Sequence, residues 1–252
     1  MTENFAHRGF SAAYPENTMA AFQKAEEAGC GGIEMDLHLS ADGVPVIIHD
    51  ETLERTTGAA GWVGDTSFAQ LRRLDASYRF AGKVQGNRIP ALEEVLEWCR
   101  GTGLRLNLEL KTNVREYPGI EQKAVELVAR MGMEERVIFS SFNHYTLLRL
   151  KEIAPSIPCG ALVESWIVGF GGYLQGLGLE CAHPLYSYLT EENLADLKRR
   201  GLRVHTWTVN QPEQMRRLIR LGTDILITNH PDVLAGLLRE EAAGNKASAQ
   251  IR

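Results

Sequence analysis

The feature that most constrains the fold is a regular alternation of short β-rich runs with amphipathic helical patterns. This alternation predicts a parallel sheet whose strands are joined by right-handed helical crossovers. The candidate strands are Asn4–His7, Gly32–His38, Arg105–Leu110, Arg136–Ser140, Cys159–Val163, Cys181–Leu185, Arg203–Val209 and Asp224–Thr228.

Helical patterns lie between most of these strands, and two of them begin at Pro212 and Pro231, where a missing N–H group is tolerated. Eight strand–helix units within 252 residues favour a closed (β/α)₈ TIM barrel. A doubly wound open sheet is the competing architecture, and counting elements does not exclude it. The clearest helix candidates are Asn17–Ala28, Leu92–Arg100, Ile120–Met131, His144–Ile153, Glu191–Arg200, Gln211–Leu221 and Pro231–Arg239.

One segment interrupts the alternation. Val44–Ile48 follows the second strand after a four-residue turn, which predicts a short hairpin. Residues 51–88 then form a Gly-, Thr- and Arg-rich insertion at the C-terminal end of a strand, the edge that carries the active site of a barrel. We expect the insertion to form one wall of a substrate cleft, inside a single domain of residues 1–240 that is followed by a flexible tail, 241–252.

Charge and hydropathy exclude several classes of partner. With 27 Lys and Arg against 32 Asp and Glu, the chain lacks the basic excess of a nucleic-acid-binding protein. Mean hydropathy is −0.19, and no stretch reaches the roughly 18 apolar residues of a membrane span, so no stable membrane association is expected. The N-terminus does not resemble a signal peptide. Four dispersed cysteines without CxxC spacing favour reduced thiols and a cytoplasmic location.

Carboxylates occupy alternate positions on two predicted strands. Glu34 and Asp36 share one face of the second strand, and Glu109 lies on the third. Carboxylates on an inward face are costly unless they are paired or bind a metal. Because all three lie on strands that meet at one edge, they are candidates for an oxygen-ligand site that suits Mg²⁺, Ca²⁺ or Mn²⁺.

Two histidines and two cations fall at the same edge. His7 and His49 follow strands, and their ordinary pKa of about 6.5 fits acid–base catalysis. Arg8 and Lys111 supply the positive charge that a phosphate group requires. A purely structural network of these charges explains any one pair but explains the whole set poorly. His38 shares the carboxylate face, so both a site role and a structural role are open for it. Four other histidines are predicted to be structural: His144, His183, His205 and His230.

Eight segments in this order resemble the glycerophosphodiester phosphodiesterase family, in its short bacterial type. The resemblance covers nearly the whole chain and implies a (β/α)₈ barrel with a small insertion after the second strand. It also implies hydrolysis of glycerophosphodiesters, such as glycerophosphocholine, to sn-glycerol 3-phosphate and an alcohol. The segments are Ala6–Gly9, Pro15–Thr18, Ile33–His38, Asp42–Asp50, Arg55–Thr57, Ile89–Val95, Asn107–Lys111 and Thr206–Asn210.

The resemblance also implies one divalent cation, and it leaves open whether water or the substrate's own 2-hydroxyl is the nucleophile. The chain departs from the family at Asn229, where an acidic residue is usual, and this weakens the role expected of the last loop. Asn17 is expected to cap the first helix rather than to contact substrate. By position, the implied site comprises metal ligands Glu34, Asp36 and Glu109, acid–base histidines His7 and His49, phosphate-binding Arg8 and Lys111, and Trp207 near the substrate.

Other functions remain open from the sequence. A related phosphodiesterase acting on lysophospholipids would need an apolar channel, for which 166–170 is the candidate, although it is interpreted as cleft wall or packing. A non-catalytic glycerophosphodiester-binding barrel would not need two histidines of near-neutral pKa. The expected partner is a small-molecule glycerophosphodiester, and homo-oligomerisation is left open. Segments 56–87 and 165–177 contain no evident acidic or aromatic cage, so little discrimination among alcohols is expected.

Overall fold

The computed structural model describes residues 2–80 and 85–250, with the side chains of 245–250 left out. Its nine strands form one sheet, in which each predicted strand is present to within three residues at either end. The strands are β1 (Glu3–His7), β2 (Gly32–Leu39), β3 (Pro45–Ile47), β4 (Arg105–Leu110), β5 (Val137–Ser141), β6 (Cys159–Val163), β7 (Cys181–Pro184), β8 (Arg203–Thr206) and β9 (Ile225–Thr228).

Eight of the strands close into a parallel barrel. β1 pairs in parallel with both β2 and β9, so the sheet returns to its first strand and has no open edge there. The remaining order is β2, β4, β5, β6, β7, β8 and β9, all parallel. The predicted (β/α)₈ TIM barrel is therefore confirmed, and the doubly wound open sheet is excluded.

The helices that follow the barrel strands agree with the predicted set, with one addition and one change of length. The additional helix contains three glycines, which obscure its pattern, but Phe170 and Leu174 are buried and hold it in place. The last helix continues to Gln250, beyond the predicted end at Arg239. The helices are Met19–Glu27, Leu92–Arg100, Ile120–Arg130, His144–Ile153, Phe170–Gly176, Glu191–Arg199, Pro212–Leu221 and Pro231–Gln250.

The barrel is filled by side chains, and its outer face is covered by the helices. Phe5, Ile138 and Ile225 pack together although their strands are not all neighbours, so they meet through the barrel interior. The much larger core lies between the strands and the helix ring, which is the layered arrangement of this fold. At the N-terminal end, Arg105 and Arg203 both form ion pairs with Glu3. These ion pairs lie at the N-terminal end of the barrel, and the polar site lies at the C-terminal end.

The insertion after β2 begins with the predicted hairpin, because β3 runs antiparallel to β2. Two short helices, Glu54–Thr57 and Phe68–Leu71, belong to it, and it has a small apolar core of its own, which includes Leu53, Val63 and Leu71. Residues 81–84 of the predicted insertion and 251–252 of the predicted tail lie outside the described residues. Within the described part of the chain, we find no helix with both the length and the apolarity to cross a bilayer.

Candidate active site

Three carboxylates converge at the C-terminal edge of the barrel. Glu34 and Asp36 lie on β2 and Glu109 lies on the neighbouring β4, where Asp36 is in register with Glu109. Their exposed fractions are only 4%, 1% and 8%, and one oxygen of each lies within 4.8 Å of the others. This set of hard oxygen donors fits a divalent cation of the Mg²⁺ or Ca²⁺ type.

The electrostatics of the three carboxylates favour a bound cation. Burial, together with the charges of Asp36 and Glu109, raises the pKa of Glu34 well above its ordinary value. Burial also raises the pKa of Glu109, although Lys111 acts in the opposite direction. Burial opposes ionisation of Asp36 as well, but nearby His49, Arg8 and Lys111 together hold its pKa well below the ordinary value. The carboxylates therefore repel one another, and positive charge placed between them relieves that repulsion.

Two cations flank the carboxylates. Arg8 lies immediately after β1, with Nε 3.5 Å from an oxygen of Asp36 and one terminal nitrogen 2.9 Å from Glu16. Lys111 lies after β4, and its Nζ is 2.9 Å from Glu109 and 3.8 Å from Asp36. The neighbouring carboxylates raise the pKa of Lys111 even though burial alone would lower it. Both side chains are charged and line the same cavity.

His7 ends β1 and is oriented by the last loop. Its Nδ1 lies 2.7 Å from Asn229 Oδ1, an oxygen that only accepts, so Nδ1 donates. Nε2 faces the carboxylates, 3.8 Å from Glu34. Burial, reinforced by Arg8, lowers the pKa of His7 to about 3, so the imidazole is neutral near pH 7. The expectation that Asn229 weakens the role of the last loop is therefore wrong, because this amide contacts His7 directly.

His49 lies after β3 and is oriented by its neighbour in sequence. Its Nδ1 donates to Asp50 at 2.5 Å, while Nε2 lies 3.3 Å from Lys111 Nζ. Arg55 contacts both oxygens of Asp50 and both oxygens of Glu16, at distances of 2.5–2.9 Å. Burial alone would raise the pKa of Asp50, but the hydrogen bonds from His49 and Arg55 hold it well below its ordinary value. An ionised Asp50 fixes which nitrogen of His49 carries the proton.

His38 takes a structural role. Its Nδ1 lies 3.0 Å from the Tyr117 hydroxyl, and its Nε2 donates to the backbone carbonyl of His49 at 3.1 Å. Burial lowers its pKa to about 4, which keeps the ring neutral. His38 shares the strand face of the carboxylates but does not hydrogen-bond to them. It supports the backbone that carries His49.

Asn17 contradicts its predicted role as a helix cap. The N-cap of the first helix is Thr18, whose side chain accepts from the backbone N–H of Ala21. Asn17 instead has φ of 55° and donates from Nδ2 to Asp36 at 2.8 Å. Arg8, with φ of 56°, is the other non-glycine residue with positive φ among those the structure describes. Both strained residues contact Asp36, which is where backbone strain is expected at a functional site.

These groups line a cavity of about 390 Å³ at the C-terminal edge of the barrel. None of the described residues of the 51–88 insertion lines it, so the expected cleft wall comes instead from loops after β4, β5, β6 and β8. The segment 166–170 is also absent from the lining, and within it Trp166 packs against Phe170 with 5.7 Å between the ring centroids. The lining residues are His7, Arg8, Glu34, His49, Asn107, Glu109, Lys111, Asn113, Phe142, Leu162, Glu164, Trp207 and Ile227.

For the residues that orient the site, the sequence predicts no role in the site itself. Glu16, Asp50 and Arg55 occur only within motif segments, Asn17 is predicted as a helix cap, and Phe142 and Glu164 carry no local signal. The sequence offers one indication of this network: Asp50 and Arg55 are opposite charges five residues apart. Fold and site together define a (β/α)₈ barrel in which two histidines lie beside a carboxylate cluster that could hold a metal, at the edge where barrel enzymes carry their active sites.

Comparison with known proteins identifies the family. Residues 7–233 match the model of the glycerophosphoryl diester phosphodiesterase family. The chain is 40% identical over 235 residues to a glycerophosphodiester phosphodiesterase of Caldanaerobacter subterraneus subsp. tengcongensis, covering 93% of this chain and 97% of the relative. It is 38% identical over 244 residues to a glycerophosphodiester phosphodiesterase of Bacillus altitudinis, covering 96% of this chain and 99% of that relative. The chain therefore belongs to the glycerophosphoryl diester phosphodiesterase family, as the motif segments predicted.

A solved structure agrees with this assignment. A phosphodiesterase of Oleispira antarctica, in complex with the product sn-glycerol 3-phosphate, superposes with a TM-score of 0.85 and 30% identity. The match covers 95% of this chain and 97% of that one. The predictions of an enzyme and of its family are thus confirmed.

Proposed function

We propose that the protein hydrolyses glycerophosphodiesters to sn-glycerol 3-phosphate and an alcohol, with one divalent cation and histidine acid–base catalysis. The observation that carries the proposal is that two imidazoles, two cations and the carboxylates border one cavity at the end where barrels bind substrates. Family membership supports the substrate class.

Glu34, Asp36 and Glu109 would hold the cation, since their oxygens converge within 4.8 Å. Mg²⁺, Ca²⁺ and Mn²⁺ all suit these ligands. When bound, such an ion supplies positive charge that offsets the negative charge developing on a phosphodiester during attack. Asn17 orients Asp36 through its 2.8 Å hydrogen bond, which keeps one ligand in place.

Arg8 and Lys111 would bind the non-bridging oxygens of the phosphate. Both are charged, and both already balance acidic groups at the site. Charge-assisted hydrogen bonds from fixed cations are effective because the donors do not reorganise during the reaction. Trp207 lines the same cavity from the end of β8, where it would contact the rest of the substrate.

His7 and His49 would transfer the protons. One imidazole takes a proton from the nucleophile, and the other, in its protonated form, gives one to the leaving alkoxide. Each ring donates its Nδ1–H to a fixed acceptor, Asn229 or Asp50, so each presents Nε2 to the cavity. Each such transfer contributes about 10²–10⁴-fold to the rate.

A coupled assay for glycerol 3-phosphate tests the proposal. Glycerophosphocholine should yield glycerol 3-phosphate, the rate should vanish with EDTA, and Mg²⁺, Ca²⁺ or Mn²⁺ should restore it. Phosphorus NMR during the reaction would reveal a cyclic phosphate if the 2-hydroxyl is the nucleophile, and none if water is. Binding without turnover, at any metal, would instead support a glycerophosphodiester-binding protein.

We also propose that the protein is cytoplasmic. Its four cysteines are all free and buried, which supports a reducing compartment. Cell fractionation with an antibody against the chain would test this location.

A further inference from the structure

The part of the cavity that is lined from β5, β6 and β8 has a different chemistry. Phe142, Leu162, Glu164 and Trp207 line it, and we call these four residues the aromatic wall. They follow or end β5, β6 and β8, so the closed barrel brings them together although they are distant in sequence. The rings of Phe142 and Trp207 meet edge to face, with centroids 5.5 Å apart and planes at 87°.

Apart from Glu164, the wall offers almost no hydrogen bonds to a neutral ligand. Trp207 has one donor, Nε1, and it already donates to the backbone carbonyl of His183 at 2.8 Å. The side chains of Phe142 and Leu162 have no polar atoms. Glycerol hydroxyls placed against Phe142, Leu162 and Trp207 would lose their hydrogen bonds to water without replacement, at a cost in free energy.

Glu164 gives the wall a negative charge that is not neutralised. Its carboxylate makes no hydrogen bond or ion pair with any residue in the described part of the chain, and the side chain is exposed. By contrast, the cavity cations Arg8 and Lys111 are both engaged by carboxylates on the other side. An aromatic corner beside a free carboxylate favours a positively charged group, and above all a methylated ammonium, which needs no hydrogen-bond acceptor.

We propose that the aromatic wall is a subsite for the alcohol half of the substrate and selects ammonium alcohols such as choline over neutral ones. This inference rests on the proposed function, since it assumes that the phosphate lies at Arg8 and Lys111. It also reverses the expectation from the sequence that the enzyme is indifferent to the alcohol. That expectation rests on segments 56–87 and 165–177, and every residue of the aromatic wall lies outside these two segments.

Kinetics on matched diesters test the subsite. We expect kcat/KM for glycerophosphocholine to exceed that for glycerophosphoglycerol by at least tenfold, which corresponds to about 1.4 kcal/mol. Glu164→Gln should reduce kcat/KM for the choline ester about tenfold and leave kcat/KM for the glycerol ester unchanged. Trp207→Leu should also lower the ratio of kcat/KM for the choline ester to that for the glycerol ester. The matched control is Glu116→Gln, since Glu116 is another exposed glutamate that does not line the cavity.

The outcomes separate the subsite from the proposed function. Equal kcat/KM on the two esters would overturn the subsite alone, as would an equal loss on both in Glu164→Gln, because the wall would then hold the shared glycerol half. No glycerol 3-phosphate from either ester would overturn the proposed function. Calorimetric titration with tetramethylammonium chloride is independent of turnover: weaker binding to Glu164→Gln supports the subsite, and equal binding to both proteins contradicts it.

Discussion

Individual residues in this site are held in states that would be unfavourable elsewhere. Two of three buried carboxylates have raised pKa values, and Asp36 remains ionised only because cations and Asn17 surround it. Two non-glycine residues have left-handed backbone beside it. Each of these costs free energy, which the surrounding barrel offsets, and each has a defined contact in the site.

The carboxylates give a prediction about metal affinity. Replacing Glu34 or Glu109 by Gln removes one anionic ligand, so calorimetric titration with Mg²⁺ or Mn²⁺ should show affinity lowered on the order of 100-fold or more, because loss of an outer-shell partner alone costs about 10–100-fold. Glu121→Gln is the control, as Glu121 is a buried carboxylate paired with Arg149 away from the site. Affinity like that of the wild type in both site variants would refute the assignment.

The histidines give a prediction about turnover. His7→Ala and His49→Ala should each lower kcat on the order of 10²-fold or more, with unchanged circular dichroism, because each removes a proton-transfer group. His144→Ala is the comparison, since His144 bonds Tyr173 and the Leu162 carbonyl rather than lining the cavity. A variant that keeps near-normal turnover at neutral pH would show that its histidine is structural.

Asp50 should matter through His49 rather than through the substrate. Asp50→Asn removes the charge that fixes the proton on His49 Nδ1, so we expect kcat to fall about 10–100-fold while KM changes little. Asp65→Asn removes a carboxylate from an exposed ion pair with Arg115 and should have no effect on either constant. If the Asp50 variant mainly raises KM, Asp50 acts on substrate binding instead.

At the scale of elements, the sequence predicts strands better than loops and caps. The barrel strands are continuous apolar or alternating runs because both faces are buried, and their bounds follow from this pattern. The helix Phe170–Gly176 was missed because its glycines disfavour helix and only tertiary packing of Phe170 and Leu174 compensates. The cap at Thr18 was misplaced by one residue because Asn17 is equally good as a cap in isolation.

Gly160 on β6 tests how closely the interior of the barrel is packed. A Cβ at this position would overlap His183 Nε2, so Gly160→Ala forces the ring or the strand to move. Urea denaturation should show a loss of about 1–3 kcal/mol in the free energy of unfolding. Gly103→Ala is the matched control, because nothing lies within 4 Å of its Cβ position. Equal stability of the two variants would show that the interior accommodates a methyl group there.

At the scale of the whole molecule, closure of the barrel creates the contacts that no local pattern predicts. The motifs predict that the proposed metal, acid–base and phosphate residues lie at one edge, since strand ends in a parallel barrel meet there. Asn229 reaches His7 across 222 positions, and Trp207 meets Phe142 from a strand three places away in the sheet. Such pairs depend on the register and tilt of strands around the barrel, which the sequence of one chain does not reveal.

The buried pair of His183 and His205 makes the stability of the whole barrel depend on pH. Their rings lie 2.8 Å apart, Nε2 to Nδ1, inside the barrel. Burial, with Arg203 nearby, lowers the pKa of His183 to about 3, and burial also lowers that of His205. In the unfolded chain both return to about 6.5. Between these values the unfolded state binds more protons, so stability rises with pH and is lost as pH falls from about 6.5 towards 3.

Urea denaturation at pH 7.5 and pH 5.0 measures this dependence. His183 alone should contribute a loss on the order of 2 kcal/mol in the free energy of unfolding at the lower pH, from about 1.4 kcal/mol per pH unit. His183→Gln carries no titrating ring, so its stability should fall less between the two pH values than that of the wild type, whatever its stability at pH 7.5. His230→Gln, at a half-buried histidine outside the pair, should keep the wild-type difference. An undiminished pH dependence in His183→Gln would mean that protonation of this ring does not oppose folding.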